Sequence, residues 1–254
     1  MMPGTDGLFF MTGTVQAHYD AFLAANYAWV SGGLDDQVRK NKKFFSSHSV
    51  LPRDNRVAID LGAGCGFQSI ALAQIGYSVT AVDFCPSLLD KLRLHTGHLP
   101  VVTIGSDIRH YLSWSGRHPG LIVCMGDTLT HLPSLADAED LSRQCFSELD
   151  SGGRLVLTLR DYSQEPAGAV VVIPVLHDEN RVFLCRLEYH PDTISVQDIL
   201  YSSREGTWGR AAGNYTKIRI APDTLARKLT GAGFGIEYSA VVDGMIIVVA
   251  TKSP

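Results

Sequence analysis

Asp60-Leu61-Gly62-Ala63-Gly64-Cys65-Gly66 decides how the rest of the chain reads. It follows Val57-Ala58-Ile59, a short apolar run that suits a strand buried on both faces. It precedes a helical stretch over about Phe67–Gln74, closed by Gly76. A loop at that junction must turn sharply and let backbone N–H groups approach a ligand, and glycine lowers the steric cost of both. The helix N-terminus behind the loop supplies partial positive charge and unpaired donors, which favour an anionic ligand group. Glycines at alternate positions also occur in plain tight turns, so the flanking sequence carries the weight.

Working outward, strand and helix alternate. Val79–Val82 predicts a second strand, Pro86-Ser87 opens the next helix, Val101–Ile104 a third strand and Leu121–Met125 a fourth. A helix over Asp137–Leu149, a turn at Asp150–Gly153 and a fifth strand over Leu155–Leu159 follow. Alternation with short connections implies a parallel sheet covered by helices on both faces, an α/β doubly wound fold. Asp83 ends the second strand and Asp107 follows the third in Gly105-Ser106-Asp107-Ile108. Both carboxylates then fall in the crevice outside the carboxyl ends of the strands, where Asp83 can accept two ribose hydroxyl hydrogen bonds. Capping of the following helices is the alternative for each.

The rhythm breaks after the fifth strand. Val170–Leu176, Val182–Tyr189 and Ile194–Tyr201 read as three strands with no helix between them, an antiparallel meander inserted into the α/β domain. The chain resumes with Ile218-Arg219-Ile220, a helix from about Asp223 to Thr230, and a closing hairpin turned at Asp243-Gly244. The first fifty residues read as helical, with Phe22, Tyr27 and Trp29, a break at Gly32-Gly33, and a basic helix through Arg39, Lys40, Lys42 and Lys43. The expected divisions are a helical lid over 1–50, a ligand-binding domain over 51–162 and 214–254, and an insertion over 163–213 that contacts substrate or another subunit.

Composition narrows the function classes. The chain has 254 residues, 45% hydrophobic and 19% charged, which excludes disorder. The 22 basic and 26 acidic residues give a net charge of −4, which argues against binding through phosphate neutralisation, so no nucleic-acid partner is expected. Apolar runs such as Met245–Ala250 are too short to span a bilayer, and residues 1–13 show no secretory pattern. Five cysteines without a CxxC pair read as reduced thiols of a cytoplasmic protein. Cys65, Cys85 and Cys124 are read as buried filler, and no metal site is expected. The open edge of the meander is compatible with a homo-oligomer.

The series DLGAGCG (60–66), VDF (82–84), GSDI (105–108) and IVCMGDTLTHL (122–132) resembles the ordered motifs of class I S-adenosylmethionine-dependent methyltransferases. The resemblance covers about Ala58–Leu159. It implies a Rossmann-like sheet of seven strands, mostly parallel with the last antiparallel, and S-adenosylmethionine as cofactor. It places Gly62, Ala63 and Gly64 at the methionyl part with Asp60 near the amino group, Asp83 on the ribose and Phe84 against the adenine. Asp107 and Ile108 would meet the adenine edge, and Met125, Gly126 and Asp127 would line the reacting end. A sulfonium is an activated methyl donor, so the protein's task is to align a nucleophile in line with it.

Within that family the chain resembles the small-molecule branch near glycine N-methyltransferase, through CMGDTLTHL (124–132), GGRLVLTLRDY (152–162) and the stretch from Tyr19 to Trp29. That branch implies a lid in which Tyr19 and Trp29 close over the cofactor, and methylation of N or O of a small metabolite. Position supplies the substrate-side candidates. Thr128 and His131 follow the fourth strand with Asp127, and Arg160 and Tyr162 follow the fifth. His131 is a candidate general base or a histidine contacting backbone; Arg160 clamps a carboxylate or pairs with a neighbouring acid. Tyr215, Lys217 and Arg219 share a strand face, from which Tyr215 or Arg219 reaches the site or faces solvent. Trp208 reads as a loop residue. A nicotinamide-dependent oxidoreductase shares the loop and the ribose acid, but here the spacing is GxGxG. A non-catalytic binding module shares everything but turnover.

Overall fold

The computed structural model describes residues 10–12, 14–110, 118–166, 168 and 170–253. The portions of the expected divisions that fall on 1–9, 13, 111–117, 167, 169 and 254 lie outside these, as does most of the stretch read for a leader. The described chain opens with a strand, β1 (Phe10–Thr12), which the sequence reading did not contain. A broken helical segment follows: α1 (Val15–His18), a wider π-helical turn over Tyr19–Leu23, and α2 (Ala24–Val30). The Thr14 hydroxyl caps α1 by accepting from the Ala17 amide, and Gly32-Gly33 then releases the chain into α3 (Leu34–Ser47).

From β2 (Val57–Leu61) the expected alternation holds. It runs α4 (Phe67–Gln74), β3 (Ser78–Asp83), α5 (Pro86–Thr96), β4 (Val101–Gly105), β5 (Leu121–Cys124), α6 (Leu135–Glu148) and β6 (Arg154–Arg160). After the insertion come α7 (Pro222–Gly231), β11 (Gly235–Val242) and β12 (Met245–Thr251). These strands form a seven-stranded sheet in the order β11-β12-β6-β5-β2-β3-β4. All neighbours are parallel except that β12 is antiparallel to both β6 and β11. Side chains alternate between two cores. Ile59, Leu61, Leu155 and Leu157 pack with Leu141 of α6 and Leu225 of α7. Ala58, Val79, Ala81 and Val156 pack on the opposite face with Phe45 of α3 and Leu72 of α4. No helix among the described residues is long and apolar enough to cross a membrane.

The insertion is longer than its sequence suggests. It contains β7 (Val170–His177), β8 (Arg181–Tyr189), β9 (Thr193–Arg204) and a fourth strand, β10 (Thr207–Ile218). Trp208, read as a loop residue, therefore lies on β10, where it is exposed. The second sheet has the order β1-β10-β9-β8-β7, antiparallel except that β1 adds to β10 in parallel. Its face carrying Phe183, Leu187, Val196 and Tyr215 turns inward. The order in which the chain adds strands to the larger sheet reverses at β2 and β5, which run parallel, and a crevice opens at the carboxyl ends of those two strands. The α1–α2 segment and the second sheet close over that crevice.

Candidate active site

Two connected chambers occupy the crevice, one of about 300 Å³ and one of about 570 Å³. They share Tyr19, Tyr27, Gly62, Gly126 and His131 as the wall where they meet. The glycine loop forms one side of that junction. Gly62 has φ +77° and lies against Thr128, so a β-carbon there would be strained and would collide with the threonine side chain.

The loop amides do not serve a ligand as their position suggests. Gly62 and Ala63 N–H donate to the Val82 carbonyl at 2.8 and 3.0 Å, and Gly66 N–H donates to the Ala63 carbonyl at 2.9 Å. Gly64 N–H donates to Asp83 Oδ2 at 2.8 Å. With these four donors engaged, Gly62, Ala63, Gly64 and Gly66 contribute shape and close approach rather than an anion-binding nest.

Asp83 lines the first chamber, and its other oxygen, Oδ1, accepts from the Cys85 amide at 2.8 Å. Burial pushes its carboxyl up, partly offset by the amides of Cys85 and Gly64. Phe84, Leu88, Ile108 and Leu132 give the chamber an apolar slot suited to a flat ring. Asp107 and Arg109 stand at its rim, the carboxylate holding the guanidinium through bonds of 2.6 to 3.1 Å. Asp60 lies elsewhere than expected. It is buried beneath the loop, lines neither chamber, and accepts from the Ser69 hydroxyl at 2.6 Å.

Burial pushes the Asp60 carboxyl up to about 7, against the lowering effect of the Ser69 hydrogen bond. Because this folded value exceeds the unfolded one, the folded chain holds more protons between pH ~4 and ~7. Asp60 therefore favours the fold in acid, and that contribution fades as pH rises through about 7. Asp60→Asn is expected to stabilise the chain above pH 7 relative to wild type. Denaturant midpoints measured from pH 5 to 8 check this; equal slopes for the two proteins would contradict it.

The second chamber is apolar over Leu23, Val30, Ile173, Phe183, Leu187 and Val196, with polar groups gathered at the junction side. Asp127, at φ +76°, has both oxygens engaged. Oδ1 accepts from the Arg160 amide and the Thr130 hydroxyl, each at 2.9 Å, and Oδ2 from the Tyr162 hydroxyl at 3.1 Å and Lys217 Nζ at 2.5 Å. Burial alone would raise Asp127, but the Lys217 charge and these hydrogen bonds hold it low. Lys217 is raised in turn, the Asp127 charge outweighing its burial. Arg160, exposed at the end of β6, is among the residues lining this chamber and has no ion-pair partner among the described residues.

His131 Nε2 stands 3.4 Å from the Tyr19 hydroxyl, and its Nδ1 is buried without a partner. Burial, reinforced by Lys217, pushes His131 down to about 3, so it is neutral at neutral pH. Thr128 lines the first chamber, and Met125, Ala63, Tyr162 and Tyr215 line the second. Trp29 lines neither. Its ring lies under Arg181, whose guanidinium carbon is 3.9 Å from the ring centroid. Arg219 is also drawn away, binding Glu165 at 2.8 Å and the carbonyls of Tyr162 and His190. Cys65, Cys85 and Cys124 are buried and line neither chamber. Cys185 does line the second, with its thiol pushed up to about 12 by burial.

Tyr27, from the stretch read as an aromatic lid, is a wall residue, as are Lys217 and Asp198, which sequence reasoning did not assign to the site. For Lys217 a signal existed: it shares a strand face with Tyr215.

Residues 58–153 match a family model described as a methyltransferase domain. This stretch is similar to methyltransferase domains. The chain is 33% identical over 151 residues to a ubiquinone biosynthesis O-methyltransferase of Xanthomonas campestris pv. campestris, an overlap of 56% of this chain and 60% of that protein. It is 27% identical over 141 residues to a glycine/sarcosine/dimethylglycine N-methyltransferase of Actinopolyspora halophila, covering 50% of this chain and 24% of the relative. The match thus spans about 60% of the first relative's length. The methyltransferase domain's fold, with its second sheet, is also that of the CcbJ methyltransferase from Streptomyces caelestis, at a TM-score of 0.76 and 20% identity over 95% of this chain and 97% of that one.

The first chamber fits S-adenosylmethionine. Asp83 has lone pairs left for ribose hydroxyls, the slot beside Phe84 and Ile108 suits adenine, and the rings of Tyr19 and Tyr27 suit a cationic centre. Its one lining cation, Arg109, is held by Asp107.

Proposed function

We propose that this chain is an enzyme that transfers a methyl group from S-adenosylmethionine to nitrogen or oxygen of a small-molecule acceptor bearing an anionic group. The observation that carries the reading is the junction of the two chambers at Tyr19, Gly62, Gly126 and His131. One chamber has the ribose acid and the ring slot; the other has the unpaired Arg160. The names of the two relatives, one an O- and one an N-methyltransferase, support either acceptor atom.

When bound, S-adenosylmethionine supplies an activated methyl group. The chain's own residues then provide alignment and exclusion of water. Gly62 permits close approach at the junction, and Tyr19 and Tyr27 cover it from the helical segment. Arg160 holds the acceptor's anionic group as a two-pronged donor. Asp127, with its oxygens engaged, positions Arg160 through the backbone amide and anchors Tyr162 and Lys217; it is not free to carry a proton. A neutral His131 with its low affinity for protons serves as a polar wall, so the acceptor is expected to arrive in its nucleophilic form.

The test is S-adenosylhomocysteine release across a panel of amines, phenols and hydroxy acids, with and without a carboxylate. Turnover is expected for carboxylated members. In Arg160→Ala their KM should rise by roughly tenfold or more with S-adenosylmethionine affinity unchanged. Preference for neutral acceptors, or an Arg160→Ala variant with unchanged KM, would contradict the anionic-acceptor reading.

A further inference from the structure

His18 and Asp198 form a buried pair that the transfer itself does not use. His18 Nε2–H donates to Asp198 Oδ2 at 2.9 Å, and both residues are under 5% exposed. The pair joins two separate parts of the fold. His18 ends α1 in the helical segment, and Asp198 lies on β9 of the second sheet. Asp198 sits directly across from Gly213 of β10, and the histidine ring lies over that glycine. A β-carbon at 213 would collide with His18 Nδ1 and Cε1, so the missing side chain makes the notch that receives the ring. The ring is held laterally by Tyr215, with centroids 4.6 Å apart, and by Phe22 at 5.3 Å.

The two partners lead to different chambers. Asp198 lines the acceptor chamber. Thr14, Val15, Gln16 and Tyr19, from the segment that His18 anchors, line the cofactor chamber. Tyr19 follows His18 directly and reaches His131 and Phe84, with ring centroids 5.7 and 5.9 Å away. β1 ties the start of the same segment to the edge of β10, beginning at Phe10 and Ala212. The segment is thus fixed at two points on one sheet, and its pose sets the cofactor chamber's wall. Packing alone does not call for such a pair. A buried His–Asp contact is a weak source of stability compared with apolar residues of similar size, and His18 Nδ1 is left without a partner.

We propose that the His18–Asp198 pair couples the acceptor chamber to the cofactor chamber, fixing the helical segment so that Tyr19 closes over the cofactor. The inference rests on the methyltransferase reading. His18 and Asp198 are positioning residues: they act through Tyr19 and the first turn of α1. Coupling is reciprocal, so whatever contacts Asp198 in the acceptor chamber changes cofactor affinity by the same factor that cofactor changes acceptor affinity.

The experiment is the dissociation rate of S-adenosylhomocysteine, followed by stopped-flow tyrosine and tryptophan fluorescence, in wild type, Asp198→Ala, Asp198→Asn and Gly213→Ala. Asp198→Ala and Gly213→Ala, which removes no lining residue of either chamber, are each expected to speed dissociation about tenfold. Asp198→Asn retains an oxygen to accept from His18 and is expected to stay within about threefold of wild type. Hydrogen exchange on the wild-type chain is a second arm that no folding defect can obscure. S-adenosylhomocysteine is expected to slow exchange in residues 14–23 and 193–204 together. Unchanged dissociation in both Asp198→Ala and Gly213→Ala, an Asn variant as impaired as the Ala variant, or protection confined to the loops after β2 and β3 would overturn the coupling alone. A wild-type chain that does not bind S-adenosylhomocysteine would overturn the methyltransferase reading and the coupling with it.

Discussion

Asp83→Ala is expected to weaken S-adenosylmethionine binding by roughly a hundredfold, about 3 kcal/mol. The carboxylate has two tasks. Its oxygens fix the turn by accepting from the amides of Gly64 and Cys85, each at 2.8 Å, and the residue lines the chamber proposed to receive the ribose. Hydrogen bonds to a charged acceptor contribute ~1.5–3 kcal/mol each, so two lost ribose contacts exceed any single apolar contact in the slot. The variant also leaves two buried amides unpaired, each costing ~1–3 kcal/mol, so its denaturation midpoint is expected to fall as well. Calorimetric titration beside a urea melt separates the two effects. Asp83→Asn, which retains one acceptor oxygen, is expected to fall between wild type and the alanine variant in both.

Asp127→Ala has the second large expected effect, a loss of about 3–5 kcal/mol of stability. The substitution strands Lys217, a cation only 8% exposed, and removes the acceptor of the Arg160 amide and of the Tyr162 hydroxyl. Removing both charges together, as Asp127→Asn with Lys217→Met, is expected to recover much of the loss, since the pair itself returns little beyond its desolvation. The pH dependence follows from the directions of the two shifts. Asp127 is held below its ordinary range, so its contribution is complete above the unfolded value near ~4 and is lost as pH falls through the lower folded value. Lys217 is raised, so its contribution is present below ~10.4 and is lost only in stronger base. Acid denaturation curves are therefore expected to be less steep below pH ~4 in the double variant than in wild type. Equal steepness, or an Asp127→Ala protein as stable as wild type, would remove Asp127 from its place as the anchor of the acceptor wall.

Much of the fold was legible because it rests on local signals. β2, β3 and β5 are buried on both faces and read as continuous apolar runs, and Gly76, Pro86 and Gly152-Gly153 mark boundaries where the structure has them. The fourth strand of the insertion was hidden. Thr207–Ile218 carries Gly209, Gly213 and Asn214, which break any strand pattern, and one of those glycines is the notch that His18 occupies. β1 was hidden for a related reason: three residues that pair with a strand two hundred positions away carry no periodicity.

The candidate site divided in the same way. Asp83 and Gly62 were placed by their position after a strand, and position is what the topology preserves. Trp29 and Asp60 were not, because they depend on side-chain direction. Trp29 packs beside Phe22 and Phe183 under Arg181, and Asp60 turns inward to meet Ser69. Lys217 and Asp198 became wall residues only through pairing across the molecule, with Asp127 and His18, ninety and one hundred and eighty positions away.

Titration of the wild-type chain with S-adenosylmethionine by calorimetry, repeated on Asp83→Ala, tests the central claim most directly. The expected result is saturable binding at one site per chain that falls by roughly a hundredfold in the variant. Absence of saturable binding to wild type, or equal affinity in the two proteins, would contradict it.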